Sequence, residues 1–258
     1  MGNIYFADKL EAVNHFSNDG VYSSQWVSVA LDDSCYIMPS ESFVYGCVIG
    51  KKVDYWEFRV MDYINYNLLY DRNIIFLGDE RDYRLAKEKY SGHSINDTFL
   101  RAYEDDIIIH STTSEGYKNI LNDNMLKSWN VLKKERLEYE DEPIGAMLGD
   151  PEDFRDYIMF GSGIQCEIVV LSKQRRMLCR DENEEYIPGA RFYFDATQLA
   201  NDGLLVRDGL HYKVKDILLL NYAVFIATMD NVVIEGKITP KTFSQRADTM
   251  FNSQFRDR

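Results

Sequence analysis

The passage at residues 105–126 constrains the fold most, because it specifies three kinds of local structure in a row. Two aspartates lead into three isoleucines at 107–109, a run that is typical of a buried strand. His110 closes this run, and hydroxyl residues follow it up to Ser114, which is the expected N-cap of a helix. Apolar residues then recur at the spacing of one helical face. We therefore predict a strand, a polar turn and a helix.

The first hundred residues show both kinds of periodicity. Runs rich in β-branched and aromatic residues predict strands, and helices are predicted either by apolar residues at i, i+3 and i+4 or by a charged run of good helix formers. The strands are expected at 27–31, 43–49 and 74–77, and the helices at 55–70 and 80–90. Ser91 and Gly92 break the pattern, so we place a domain boundary at 91–97. This gives an N-terminal α+β region of unknown role at 1–95 and a second domain at 96–258.

The second half reads mostly as strands. Apolar runs at 156–160 and 166–172 are separated by a Gly-Ser-Gly turn and predict a hairpin, and Asp208-Gly209 predicts another between 204–206 and 211–214. Further strands are expected at 191–195 and 218–227. The polar tail from Lys241 onward is expected to fray. The whole chain is therefore of the α+β class.

Charge and cysteine content exclude several classes of protein. The 258 residues carry a net charge of −13, which disfavours a phosphate-binding surface except at a local basic patch. The four cysteines and four histidines are scattered without metal-ligand spacing, so we expect no zinc site and no disulfide framework. The longest apolar run, at 217–228, is too short for a membrane span, and the start of the chain does not read as a signal peptide. We expect a cytoplasmic protein with no membrane partner.

His110 is the candidate for chemistry. An imidazole, several hydroxyls and a helix N-terminus within one turn of chain suit the hydroxyls and phosphates of a nucleotide. The alternative interpretation is a histidine at the end of a strand whose ring is satisfied by a neighbouring carbonyl group.

The order of these elements resembles the opening of the ADP-ribosyltransferase superfamily, in which a strand ends in His and a helix contains an ILxxGL pattern. Residues 119–126 match that helix, with Asn124 at the usual Gly position. The resemblance extends over 104–226 and is closest to the bacterial DarT-like nucleic-acid ADP-ribosyltransferases. It implies a split antiparallel or mixed β-sheet core with flanking helices and NAD as substrate. It also implies that His110 binds a ribose of NAD, with Ser111 or Thr112 close by.

The same resemblance supplies the other site residues. Glu167, in a run similar to the strand that carries the family's catalytic glutamate, is the candidate catalytic carboxylate beside His110. An ionised carboxylate would stabilise the positive charge that develops as the nicotinamide bond breaks. Tyr157, Phe160 or Tyr117 would stack on nicotinamide, and Arg155 with the basic cluster at 173–180 would take the pyrophosphate or a nucleic-acid strand. Each of these side chains also has an ordinary interpretation as core packing or as a solvated charge.

Three functions remain open at this point. The first is an NAD-dependent ADP-ribosyltransferase, acting as a toxin or defence effector on nucleic acid or protein and held by an antitoxin or another basic partner. The second is a non-catalytic acidic module for protein interaction. The third is an RNA 2′-phosphotransferase, which would need two arginines beside His110.

Overall fold

A computed structural model of the chain describes residues 2–33, 36–37, 44–135 and 142–255. It has mixed α and β structure, as the sequence predicts. The elements of the N-terminal half, in chain order, are β1 (Ile4–Ala7), β2 (Trp26–Asp32), β3 (Tyr36–Ile37), β4 (Tyr45–Gly50), α1 (Trp56–Leu69), β5 (Asn73–Leu77) and α2 (Glu80–Tyr90). Each helix and strand predicted in this half is confirmed within a few residues, and the part of the 43–49 prediction at residue 43 lies outside the described residues.

The N-terminal half is built on a five-stranded sheet in the order β1-β5-β2-β4-β3, parallel except for the last pair. The apolar stripe of α1 packs on the face of this sheet that carries Val29 and Phe76, and α2 packs beside α1. Asp79 caps α2 by accepting a hydrogen bond from the backbone N–H of Arg81. Apolar periodicity predicts α1, and the charged residues of high helix propensity at 80–90 predict α2.

The C-terminal half contains the remaining elements. In chain order they are β6 (Ile107–Thr112), α3 (Ser114–Asp123), β7 (Met125–Lys127), α4 (Trp129–Glu135), α5 (Ile144–Met147), β8 (Tyr157–Phe160), α6 (Gln165–Arg175), β9 (Ala190–Asp195), α7 (Ala196–Asn201), β10 (Leu205–Arg207), β11 (Tyr212–Lys215), β12 (Ile217–Leu219), β13 (Ala223–Thr228) and α8 (Pro240–Phe255). The predicted strand and helix are confirmed as β6 and α3. The polar turn is not, because Ser111 and Thr112 extend β6 in its pairing with β9, so His110 lies within the strand and not at its end. Thr113, not Ser114, is the N-cap, since its Oγ1 accepts from the backbone N–H of Gly116 at 3.2 Å.

Two three-stranded antiparallel sheets, β10-β11-β8 and β13-β9-β6, form the centre of this half. They meet where Ile109 and Gly161 exchange backbone hydrogen bonds of 3.0 and 2.9 Å. Beyond this isolated bridge β6 and β8 are not paired as a regular ladder, so the sheet is split between them. A two-stranded sheet of β7 and β12 lies nearby.

The side chains of the split sheet alternate between two faces. The first face carries Ile108, Phe160 and Phe192 and packs against α7 and part of α3. The second face of the β6-β9-β13 sheet carries Ile109 and Tyr193 and packs against α6 and α8. Both faces are therefore covered by helices, which explains why most positions of β9 are buried.

Several sequence predictions in this half are wrong. Residues 166–172 belong to α6 rather than to a strand, because Cys166, Val170 and Leu171 bury one helical face against β6. The β-branched residues of this segment suggested a strand, but tertiary packing overrides that weak preference.

The tail after Lys241 does not fray. It forms α8, whose side chains at Phe243, Ala247 and Phe251 follow helical spacing and are buried. The predicted strand at 218–227 is also divided, because a 3-10 turn at Leu220–Tyr222 separates β12 from β13.

Candidate functional site

His110 lies on β6 at the split between the two sheets. Its Nδ1 is 3.0 Å from the carbonyl oxygen of Met159 on β8, so the ring bridges the two strands at this point. Because a carbonyl oxygen only accepts hydrogen bonds, Nδ1 carries the proton in this contact. The ring also meets Phe160 in a T-shaped contact, with centroids 6.2 Å apart.

The protonation of His110 follows from its surroundings. Burial lowers the pKa of the imidazole below its ordinary value, the hydrogen bond to Met159 opposes this, and Lys173 lowers the pKa further. A neutral ring with its proton on Nδ1 leaves Nε2 as a hydrogen-bond acceptor. No residue in the described part of the chain hydrogen-bonds to Nε2. The expected alternative, a histidine satisfied by a carbonyl group, therefore accounts for one ring nitrogen only.

Ser111 and Glu167 form a separate cluster. The Ser111 hydroxyl donates to Glu167 Oε1 at 2.5 Å, and the Tyr186 hydroxyl donates to Glu167 Oε2 at 2.7 Å. The carboxylate lies in the first turn of α6 and is only 1% exposed. Burial, with the neighbouring carboxylate of Glu167, raises the pKa of Tyr186 far above its ordinary range, so the phenol stays a donor.

Arg191 extends this cluster from β9. Its Nη1 lies 3.3 Å from Glu167 Oε1 and 3.0 Å from the carbonyl oxygen of Gly163, and its Nη2 lies 3.0 Å from Asp248 Oδ1 on α8. The Tyr193 hydroxyl also donates to Asp248 Oδ1, at 2.7 Å. The fully buried guanidinium of Arg191 thus links β9, on which it lies, to α6 and α8. Nearly every polar atom around it has a hydrogen-bond partner.

The two predicted catalytic residues are not brought together. Adjacent residues of a strand point to opposite faces, so the His110 ring lies on the first face while Ser111 and its partner Glu167 lie on the second. Glu167 lies on α6, which covers the second face. The prediction of a strand at 166–172 therefore put this residue on the wrong kind of element.

Thr112 and Tyr117 lie on the same side as His110. Alternation along β6 puts Thr112 on the first face, and Tyr117 packs there on Phe192 with ring centroids 6.0 Å apart. Gly116, at the start of α3, lies close to this face, since an added Cβ would stand 2.2 Å from the Thr112 hydroxyl and would require that side chain to shift. Three of the predicted cofactor-binding side chains therefore share one face.

Tyr157 and Arg155 are placed elsewhere. Tyr157 is buried between the two halves of the chain, where its hydroxyl is 2.8 Å from that of Tyr70. Arg155 stacks over Trp129 at 5.1 Å and forms an ion pair of 3.0 Å with Glu142. Neither side chain contacts His110, so stacking on nicotinamide and pyrophosphate binding by these residues remain predictions without geometric support.

Sequence reasoning missed Arg191, Tyr186 and Asp248. Arg191 left a faint signal, since an arginine at the head of a run of apolar and aromatic residues is unusual unless it is paired. The contribution of Asp248 had no signal, because it depends on the docking of α8. Arg191 is the arginine nearest to the strand of His110, but it faces Glu167 and Asp248 on the second face, which does not favour the RNA 2′-phosphotransferase interpretation.

No protein-family model, curated protein or solved structure matches this chain. Among the described residues there is no group of three or more potential metal ligands. None of the described helices is both long enough and apolar enough to cross a lipid bilayer.

Proposed function

We propose that the chain is an NAD-dependent ADP-ribosyltransferase whose substrate site centres on His110. The observation that carries the proposal is the fixed imidazole at the split of the sheet. Its Nδ1–H is held by the Met159 carbonyl oxygen, and its Nε2 is an acceptor without a partner among the described residues. A ribose hydroxyl is a donor that Nε2 would bind.

The arrangement of the strands supports the same function. The resemblance to ADP-ribosyltransferases implies a split sheet with a histidine on one of its strands, and β6 holds His110 beside the split between two three-stranded antiparallel sheets. Thr112 and Tyr117 share its face and supply a hydroxyl and an aromatic ring for the rest of the nucleotide.

In the proposed reaction the bond between the nicotinamide nitrogen and the ribose carbon breaks, and nicotinamide leaves with the bonding electron pair. An oxygen or nitrogen of a nucleic-acid or protein acceptor forms the new bond to that carbon and releases its proton to solvent. We assign Glu167 a positioning role in this reaction, because its carboxylate is saturated on the opposite face and holds Ser111, the residue next to His110.

The test is binding of NAD and release of nicotinamide by the purified chain. His110→Ala should weaken NAD binding by roughly tenfold or more, the value of a lost hydrogen bond plus an ordered ring. The matched control is His15→Ala, since the His15 side chain is 64% exposed and lies in the N-terminal half.

Unchanged NAD affinity in His110→Ala would refute the site. Absence of saturable NAD binding in the wild-type chain would refute the function and leave the acidic interaction module as the better interpretation. If nicotinamide is released, mass spectrometry of an oligonucleotide and of a protein mixture incubated with NAD would show which acceptor gains ADP-ribose.

A further inference from the structure

A small cavity lies at the junction between α1 of the N-terminal half and the hairpin that joins β10 to β11. Gly209 is at the tip of this hairpin with φ of 88°, and a Cβ there would stand 2.2 Å from the backbone oxygen of Arg59 on α1. The space is about 10 Å³, enough for one water-sized group. Its main polar lining residues are Arg59, Asp62, Glu104, Arg207, His211 and Tyr212.

The two carboxylates that line the cavity are already paired with arginines other than Arg59. Asp62 is neutralised by Arg101 at 2.6 Å, and Glu104 accepts two hydrogen bonds from Arg207. Arg59 has no ion pair and no hydrogen bond within the described part of the chain, and its Nε is buried without a partner. The Arg59 guanidinium packs over the ring of Tyr103, 5.8 Å from its centroid, but its Nε remains a buried donor without a hydrogen bond, which is unusual because buried polar groups are nearly always hydrogen-bonded.

His211 stands on the same wall in a fixed orientation. Its Nδ1 is 3.2 Å from Asp208 Oδ2, and the other carboxylate oxygen accepts the backbone N–H groups of Leu210 and His211 at 3.0 and 2.7 Å. Burial opposes ionisation of Asp208, but Lys213, at 2.6 Å, and His211 outweigh it and hold the pKa of the carboxyl well below its ordinary range. Nδ1 therefore donates to a carboxylate, and Nε2 has no hydrogen bond among the described residues.

We infer that this cavity binds a phosphate group, with Arg59 as the cationic partner and His211 Nε2 as the neighbouring hydrogen-bond partner. A guanidinium matches the oxygens of a phosphate in geometry and charge. At neutral pH inorganic phosphate carries both charged oxygens and a P–O–H group, so it can accept from Arg59 and also donate to Nε2. A carboxylate has no proton to give and satisfies Arg59 alone.

The size of the cavity fits one oxygen of such a group, with the rest projecting past the half-exposed side chains of Arg59 and His211. Because Arg59 comes from α1 and His211 from the β10–β11 hairpin, the ligand would connect the two halves of the chain. The residues that line this cavity do not include His110 or the other residues of the proposed NAD site. This inference therefore does not rest on the proposed reaction with NAD.

The experiment is a titration of the full chain with inorganic phosphate in a chloride buffer, followed by the side-chain ¹⁵N–¹H resonance of Arg59 Nε. Acetate serves as the second ligand. We expect a saturable shift with phosphate and affinity for acetate that is weaker by roughly tenfold, since one hydrogen bond to a charged ligand is lost. The variants Arg59→Gln and His211→Gln should each weaken phosphate binding by roughly tenfold, measured by calorimetry. Arg59→Lys keeps the charge and should retain part of the affinity, which also covers the case in which Arg59→Gln does not fold.

The matched control is Arg84→Gln, because Arg84 is an exposed arginine of the same half whose ion pair is with Glu80 on its own helix. No saturable shift with phosphate would overturn the inference and leave the cavity to water. The inference would be equally wrong if Arg84→Gln reduced binding as much as Arg59→Gln, or if Arg59→Lys and His211→Gln both bound phosphate like the wild type.

Discussion

Arg191 Nη1 lies 3.3 Å from Glu167 Oε1, and both side chains are buried, at 0% and 1% exposure. An isolated buried ion pair contributes little to stability, because desolvation of two charges offsets their attraction. This pair is not isolated, since Ser111, Tyr186 and Asp248 complete the hydrogen bonds of its two members. Removal of one member of the pair should therefore lower the free energy of unfolding by much more than the intact pair contributes to it.

Glu167→Ala should lower the free energy of unfolding by about 3–5 kcal/mol, because it leaves a buried guanidinium with one carboxylate fewer and two hydroxyls without an acceptor. Glu167→Gln keeps the shape and one acceptor oxygen and should lose less. Urea unfolding of the two variants measures the difference.

The same pair of variants separates the two roles of Glu167. If the residue only positions Ser111 and β6, a folded Glu167→Gln protein should release nicotinamide from NAD at nearly the wild-type rate. If its carboxylate is catalytic, that variant should lose the reaction while it still binds NAD.

His110 should make the chain less stable in mild acid. Its pKa in the folded chain lies below the ordinary 6.5, chiefly through burial, so the unfolded chain binds the proton more tightly. The stability that the neutral ring contributes is present above about pH 6.5 and is lost as the pH falls through the lower pKa of the folded state. We expect His110→Gln to flatten this part of the pH dependence in urea unfolding between pH 5 and 7.5. The prediction fails if His15→Gln, at an exposed position, flattens it equally.

Helix α8 should be essential to the fold. Phe243 is fully buried and Phe255, on the same helix, is 50% exposed. Phe243→Ala should lower the free energy of unfolding by about 3–5 kcal/mol, whereas Phe255→Ala should lower it by roughly 1 kcal/mol or less. Equal effects in calorimetry would show that α8 is not packed as described.

Asp150 should destabilise the chain at neutral pH. Burial raises the pKa of its carboxyl to about 6, His211 opposes the rise and Asp208 adds to it, and Oδ1 is buried without a hydrogen bond among the described residues. Because the pKa of Asp150 is raised in the folded chain, the protonated carboxyl contributes to the stability of the fold at low pH. This contribution is lost as the pH rises through about 6.

Asp150→Asn should therefore raise the melting temperature by a few degrees at pH 8 and leave it unchanged near pH 4. Asp230→Asn, at an exposed carboxyl, is the control and should change neither value. A shift of the same size for Asp150→Asn at both pH values would show that charge is not the cause.

Local sequence identified the elements whose pattern is self-contained. The triplet of isoleucines before His110 gave a strand, and Asn124 ended the following helix with φ of 54°, as its tolerance of the left-handed region predicts. The Asp208-Gly209 turn likewise placed the β10–β11 hairpin, because Gly209 takes a positive φ of 88° that other residues avoid.

In other segments the tertiary structure decided which secondary structure formed. Whether the segment around Glu167 became a strand or a helix depended on the face it buries against β6, since its β-branched residues favour one form locally and its packing requires the other. Helix α8 is mostly polar, and its apolar stripe was not recognised in the sequence. The stripe is buried only against the paired strands β9 and β13, so its role depends on the tertiary structure.

The amino-acid sequence by itself determined the α+β composition, most strands, the helices α1, α2 and α3, and the presence of His110 on a buried strand. Only the tertiary structure decided that His110 and Glu167 face opposite sides of one sheet, that Arg191 and Asp248 enclose Glu167, and that Arg59 and His211 meet in one cavity. The physical reason is that local preferences act over a few residues, whereas charge pairing and burial join side chains that are distant along the chain.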